Sequence, residues 1–162
     1  MTPTSTDSPA LVTGFFAGSF NPFTVGHADI VERALRVFGR VVIGIGVNAA
    51  KPSDAEAAEA RADRLRALYA ADSRVVVEVY SGLTVDAAAA AGAAALIRSV
   101  RSVKDYEYER DLADINMKLT GIDSVIYFSR PELACISSSV VRELASYGVD
   151  TSPFLPKPTQ PK

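Results

Sequence analysis

Tryptophan is absent from this 162-residue chain, and histidine and cysteine occur once each, as His27 and Cys135. A single cysteine excludes an intrachain disulfide, and one cysteine with one histidine cannot build a zinc site of the usual kind. With only one imidazole, already placed in the loop described below, a catalytic triad is nearly excluded. An excess of either charge is missing as well: 17 basic against 19 acidic residues leave a net charge of −2. Affinity for a polyanion must then come from a local cluster, and duplex DNA or RNA is not an expected partner. Nor is there a long apolar run. The longest alanine-rich stretch, Ala87–Ala95, is shorter than the ~18 residues of a membrane span and only weakly hydrophobic, so no membrane association is expected.

The ends are poor in structure-forming residues. Residues 1–10 are polar and rich in Thr, Ser and Pro, without the basic start and apolar stretch of a secretory signal. They read as a disordered tail, and a cytoplasmic location is expected. Pro153, Pro156, Pro158 and Pro161 interrupt the other end; residues 151–162 therefore read as a proline-rich tail that cannot continue a helix and lies along the surface or is mobile.

Between the tails, strand and helix patterns alternate. Apolar runs at Leu11–Ala17, Val41–Val47, Val75–Tyr80, Ala94–Arg98 and Val125–Phe128 predict five strands. The first two are apolar on consecutive positions, as in parallel strands covered on both faces. Helices are predicted after His27, with Ile30, Val31, Ala34, Leu35 and Phe38 on one face up to Gly39, and from the capping-box spacing at Ser53–Glu56 to about Ala71. Three more are expected. They cover Val85–Ala91, the apolar repeat Tyr108, Leu112, Ile115 and Leu119 stopped by Gly121, and Ser138–Tyr147 stopped by Gly148. The pattern implies one α/β domain over residues 11–150, a doubly wound parallel five-stranded sheet.

Such sheets bind ligands at the carboxyl ends of their strands, and the loops there are polar and basic. They carry Ser19 and His27, then Asn48 and Lys51, then Ser81-Gly82-Leu83-Thr84, then Arg98 and Arg101, and finally Arg130 with Ser137-Ser138-Ser139. Each has a plainer reading: a solvated lysine, arginines paired with Asp105 or Glu109, serines as helix caps. Their convergence on one edge, with the N-termini of helices and one histidine, fits a ligand carrying several phosphates. The loop at 18–27 is neither a P-loop, which ends in Gly-Lys-Ser/Thr, nor a three-glycine dinucleotide fingerprint.

Gly18-Ser19-Phe20-Asn21-Pro22-Phe23-Thr24-Val25-Gly26-His27 and Ile136-Ser137-Ser138-Ser139 resemble motifs of the nucleotidyltransferase superfamily. Arg98-Ser99-Val100-Arg101, Asp105-Tyr106-Glu107-Tyr108-Glu109 and then Leu112-Ala113 and Asn116 are similar to the signature of the bacterial-type phosphopantetheine adenylyltransferases within it, and Ser81–Asp86 fits as well. The resemblance covers residues 11–150 and implies a Rossmann-like nucleotidyltransferase fold. It implies transfer of AMP from ATP to 4′-phosphopantetheine, giving dephospho-coenzyme A and pyrophosphate. By the same resemblance Ser19, Phe20, His27, Ser99, Val100, Arg101, Glu109, Leu133, Ala134, Cys135, Ile136, Ser137, Ser138 and Ser139 surround ATP. Ser19, Lys51, Thr84 and Arg98 hold the pantetheine substrate, and His27, with Ser19, Lys51 and Arg98, serves the transition state. A homohexamer is implied too, with the Tyr106–Leu119 helix at its contacts.

This chain departs from the family pattern at Ser99, usually glycine, at Leu133, often tryptophan, and in the alanine-rich stretch after Lys51. The chemistry suits the residues present. The acceptor's phosphate is already a nucleophile, so the protein has to supply in-line placement and neutralisation of charge, not a base. His27, protonated or as a neutral N–H donor, would bond the α-phosphate. Mg2+ is the expected cofactor, held mainly by the phosphates of ATP because no carboxylate cluster is in view. Two other readings stand beside this one: a nicotinamide mononucleotide adenylyltransferase, and a non-catalytic nucleotide-binding module of the same fold. A dehydrogenase is disfavoured, since Gly46-Val47-Asn48 ends the second strand without an acid for a ribose.

Overall fold

A computed structural model describes residues 11–48, 50 and 52–158, with Pro52 and Ser53 described by their backbone alone. The two chain ends at 1–10 and 159–162, Lys51 and the side chain of the expected cap Ser53 lie outside the described residues.

Phe15 and Phe16 are adjacent in sequence and both buried, because side chains of a strand alternate between its faces and both faces of β1 (Thr13–Gly18) are covered. The strand sits at the centre of a five-stranded sheet. Its companions are β2 (Arg40–Val47), β3 (Val75–Ser81), β4 (Ala95–Val100) and β5 (Asp123–Phe128). The order is β3-β2-β1-β4-β5 with every pairing parallel. The expected strands are all present, with no end moved by more than two residues.

The helices cover both faces. Phe16, Val41, Ile43 and Ile45 pack on one face against Ile30, Val31 and Ala34 of α1 (Val25–Ala34) and Ala58, Ala62 and Leu65 of α2 (Pro52–Leu68). Phe15, Val42 and Leu96 pack on the other against Val85 and Ala88 of α3 (Thr84–Ala90). Each fully buried Phe, Ile or Val contributes ~1.5–3 kcal/mol relative to exposure. Gly44 makes the second face possible, since a Cβ there would lie 2.3 Å from the Phe15 ring, which meets Tyr80 edge-on at 5.7 Å.

The fourth helix, α4 (Val103–Thr120), ends as predicted on Gly121 in the left-handed conformation, φ 74°. The apolar repeat is turned outward: Tyr108, Ile115 and Leu119 are more than half exposed, while Glu109 is the buried residue of the helix, on the same side as the half-buried Leu112, Ala113 and Asn116. The ion pair with Arg98 ties this helix to its own sheet. After β5 an irregular segment leads to α5 (Ser138–Ser146), whose one buried residue is Val141, and then to a short 3-10 turn at Ser152–Phe154.

The chain runs outward from β1 to β2 and β3, then returns to place β4 on the other side of β1. The connections therefore diverge between the ends of β1 and β4, which opens a crevice there.

Candidate active site

The crevice is a cavity of about 400 Å3. Ala17, Gly18, Ser19 and Phe20 form its floor from the end of β1, Arg98 and Ser99 enter from β4, and the starts of three helices face it. Thr24 caps α1, Ser102 caps α4 by accepting from Asp105 N–H at 3.2 Å, and Ser137 caps α5 by accepting from Val140 N–H at 3.2 Å. Three helix starts bordering one space favour an anion there through the positive ends of their dipoles.

His27 occupies the third position of α1, so its ring reaches back over the helix start. Its Nδ1 accepts from the Thr24 backbone N–H at 3.0 Å and lies 3.1 Å from the Thr24 hydroxyl. The remaining proton is then on Nε2. Phe20 meets the ring edge-on at 5.2 Å, Phe23 lies tilted at 5.3 Å, and Phe16 backs it at 6.2 Å. Burial, with help from the Arg101 guanidinium, lowers the His27 pKa to about 4. Of the two forms left open by the sequence, the structure has the neutral donor at neutral pH.

Phe20 has φ 47°, a left-handed backbone that a bulky side chain adopts at a cost of ~1–3 kcal/mol. The strain turns its ring into the core, where it is 4% exposed and walls the imidazole. It borders the cavity, yet its ring is a packing element of His27.

The basic residues do not stand bare, which changes the cradle from the one expected. Arg98 donates from Nε and Nη2 to the two carboxylate oxygens of buried Glu109, at 2.7 and 2.6 Å, and from Nη1 to the Ala17 carbonyl at 3.1 Å. Arg101 lies 3.4 Å from Asp105 and Arg130 donates to Asp29 at 2.6 Å. The plain reading of these cations as ion pairs is therefore realised. What this cavity offers an anion is helix-start N–H groups and the guanidinium hydrogens that the pairs leave over.

Among the expected site residues, Ser19, Phe20, His27, Arg98, Ser99, Arg101, Glu109, Leu133, Ile136, Ser137, Ser138 and Ser139 line this one cavity. Four others do not. Val100 is buried at 2% exposure, Ala134 and Cys135 sit on the turn beside the cavity with Cys135 exposed, and Thr84 is held by the Tyr80 hydroxyl at 2.8 Å. Lys51 lies outside the described residues. The serine run divides its work: Ser137 caps α5, Ser138 donates to the Pro22 carbonyl at 2.8 Å, and Ser139 accepts from Arg142 at 3.3 Å. Thr24, Asp105, Tyr108 and Ser129 also line the cavity and were not among the site residues expected from sequence. Thr24 carried a signal, being a threonine just before an amphipathic helix. Arg142, which also donates to the Asn21 carbonyl, carried none across 121 positions.

No group of three or more His, Cys, Asp or Glu able to hold a metal occurs among the described residues. The cavity's acids, Asp105 and Glu109, face arginines.

Residues 15–144 match the cytidylyltransferase-like family. A phosphopantetheine adenylyltransferase of Porphyromonas gingivalis is 51% identical over 142 residues, spanning 88% of this chain and 92% of that one. One from Bacteroides fragilis is 46% identical, spanning 88% and 94%. Among solved structures, a bifunctional NMN adenylyltransferase/ADP ribose pyrophosphatase from Francisella tularensis, complexed with AMP and a manganese ion, matches with a TM-score of 0.61 at 16% identity over 90% of this chain and 44% of that one. A putative nicotinate-nucleotide adenylyltransferase from Vibrio parahaemolyticus matches at 0.60 and 18% identity, over 90% and 93%. At these identities the structural likeness establishes the fold.

Proposed function

This chain belongs to the phosphopantetheine adenylyltransferases, within the cytidylyltransferase-like family, and we propose that the cavity between β1 and β4 is where it works. The enzyme transfers AMP from ATP to 4′-phosphopantetheine in coenzyme A biosynthesis, releasing pyrophosphate. The observation that carries the site assignment is the single neutral imidazole, held by Thr24 at the rim of three helix starts.

In this reading the protein contributes no nucleophile. The acceptor's phosphate oxygen attacks the α-phosphorus of ATP, and the bond to pyrophosphate breaks in line with it. His27 donates from Nε2 to an α-phosphate oxygen as negative charge builds there, an interaction stronger in the transition state than before it. The α1 and α5 N-termini, with Ser137–Ser139, hold the nucleotide phosphates. Arg98, fixed by Glu109, offers its remaining N–H groups to the acceptor phosphate together with Ser19 and Lys51, while Thr84 holds the pantetheine substrate.

The described residues offer no cage of carboxylates, so magnesium would enter on the nucleotide, held mainly by the phosphates of ATP. It would supply neutralisation of the departing pyrophosphate. A cytoplasmic homohexamer completes the proposal. The hexamer's support is the outward apolar face of α4 at Tyr108, Ile115 and Leu119; among the described residues no helix is long and apolar enough to cross a membrane.

Purified protein with ATP and magnesium should release pyrophosphate with 4′-phosphopantetheine and not with nicotinamide mononucleotide. Release with the second acceptor alone would overturn the assignment. ATP binding without release from either would make the chain a nucleotide-binding module.

A further inference from the structure

The wall of the cavity that meets the start of α1 is built from residues 129–139, and little of it is anchored by apolar burial. Turn bonds brace it internally, Leu133 N–H to the Arg130 carbonyl at 2.9 Å and Ile136 N–H to the Leu133 carbonyl at 3.0 Å. Arg130 stands at its root. Farther along, Ser138 and Arg142 tie it to the carbonyls of Pro22 and Asn21.

Asp29 lies two residues beyond His27 on the same rigid helix, and its side chain is 10% exposed. One carboxylate oxygen accepts from Arg33 at 3.1 Å and the other from Arg130 at 2.6 Å. Arg33 in turn donates to the Phe128 carbonyl at 2.8 Å and rests over the Tyr127 ring at 5.3 Å. A single carboxylate therefore grips both the end of β5 and the root of the wall. We propose that Asp29 is a positioning residue for adenylyl transfer, which through Arg130 sets the spacing between the helix of His27 and the wall that receives the nucleotide. Arg130 is half-exposed and its ion pair adds little to stability. The contact acts on where the wall stands, and its loss is read in nucleotide binding.

This inference rests on the reading above that the 133–139 wall belongs to ATP. The test uses the full chain, with Arg130→Ala, Arg130→Lys, Asp29→Asn and the Asp29→Asn/Arg130→Ala double variant, measuring KM for ATP and for 4′-phosphopantetheine separately, along with Tm. Coupling between contacting residues leads us to expect KM for ATP to rise ~3–10-fold in Arg130→Ala. The acceptor's KM and Tm stay near those of the parent, Arg130→Lys restores most of the loss, and the double variant is no worse than Asp29→Asn alone. An unchanged KM for ATP in Arg130→Ala overturns the proposal, as does a double variant whose losses simply multiply. A rise confined to the acceptor's KM instead overturns the assignment of this wall to ATP. Because Arg130→Ala removes an exposed side chain, the proposal stays testable if Asp29→Asn folds poorly.

Discussion

The Thr24 backbone N–H points at Nδ1 of His27, 3.0 Å away. That contact closes the first turn of α1 and fixes the tautomer of the chain's one imidazole, so the side chain that completes the helix cap is the one proposed as the transition-state donor.

His27 should titrate far from an ordinary histidine. Being the sole histidine, its imidazole NMR signals are unambiguous, and their midpoint in the free enzyme is expected near 4. An unfolded histidine protonates at about 6.5, so between these values the unfolded chain binds more protons and stability rises with pH. On acidification the contribution is intact above 6.5 and lost as pH falls from 6.5 through about 4, by roughly 3 kcal/mol in all. Thermal melts of His27→Gln should show a flatter pH dependence across that window. A midpoint at 6.5 would remove the buried neutral imidazole from the mechanism.

His27→Ala should lower kcat by ~10²–10³ with a modest change in KM, as expected when one preorganised donor to a developing charge is removed. Leaving the Thr24 N–H without its acceptor should also cost about 1 kcal/mol of stability. Steady-state kinetics and urea titration separate the two effects. An unchanged kcat would take His27 out of the reaction.

Glu109→Ala should destabilise the fold by ~3–5 kcal/mol, because it strands a mostly buried guanidinium that both carboxylate oxygens now hold. Arg98→Lys keeps the charge and loses the fork. It should raise the acceptor's KM about tenfold, equivalent to ~1.4 kcal/mol. Denaturant unfolding and kinetics with varied 4′-phosphopantetheine check the pair.

Gly26→Ala should leave folding intact and weaken ATP. A Cβ there would lie 3.5 Å from the Thr24 hydroxyl and 3.8 Å from the Ile136 carbonyl, ordinary contacts, and alanine favours the helix by up to ~1 kcal/mol. The methyl would stand where phosphate approaches the helix start. Calorimetry should find unchanged or higher Tm, and ATP binding weaker by about tenfold or more, the discrimination of a single steric intrusion of ~1–3 kcal/mol.

Periodicity made the sheet and most helices legible. Consecutive apolar residues at Val41–Val47 could only be a strand covered twice, and Gly121 and Gly148 stopped their helices at positive φ as glycine allows. The α4 repeat located the helix and not its inner side, because helical spacing marks which residues share a face and not what that face meets. Its inner side is defined by Glu109, buried by a partner on β4 eleven positions earlier.

By itself the sequence determined the parallel α/β architecture, the loop that carries Ser19 and His27, and the kinship written in its motifs, since these depend on local order and spacing. Only the tertiary structure decided that the arginines are paired, that His27 is a neutral donor, that Phe20 packs inward, and that Asp29 joins α1 to a segment about a hundred positions away. Those properties arise from burial and from charges brought together by folding, and neither is present in the chain until it closes.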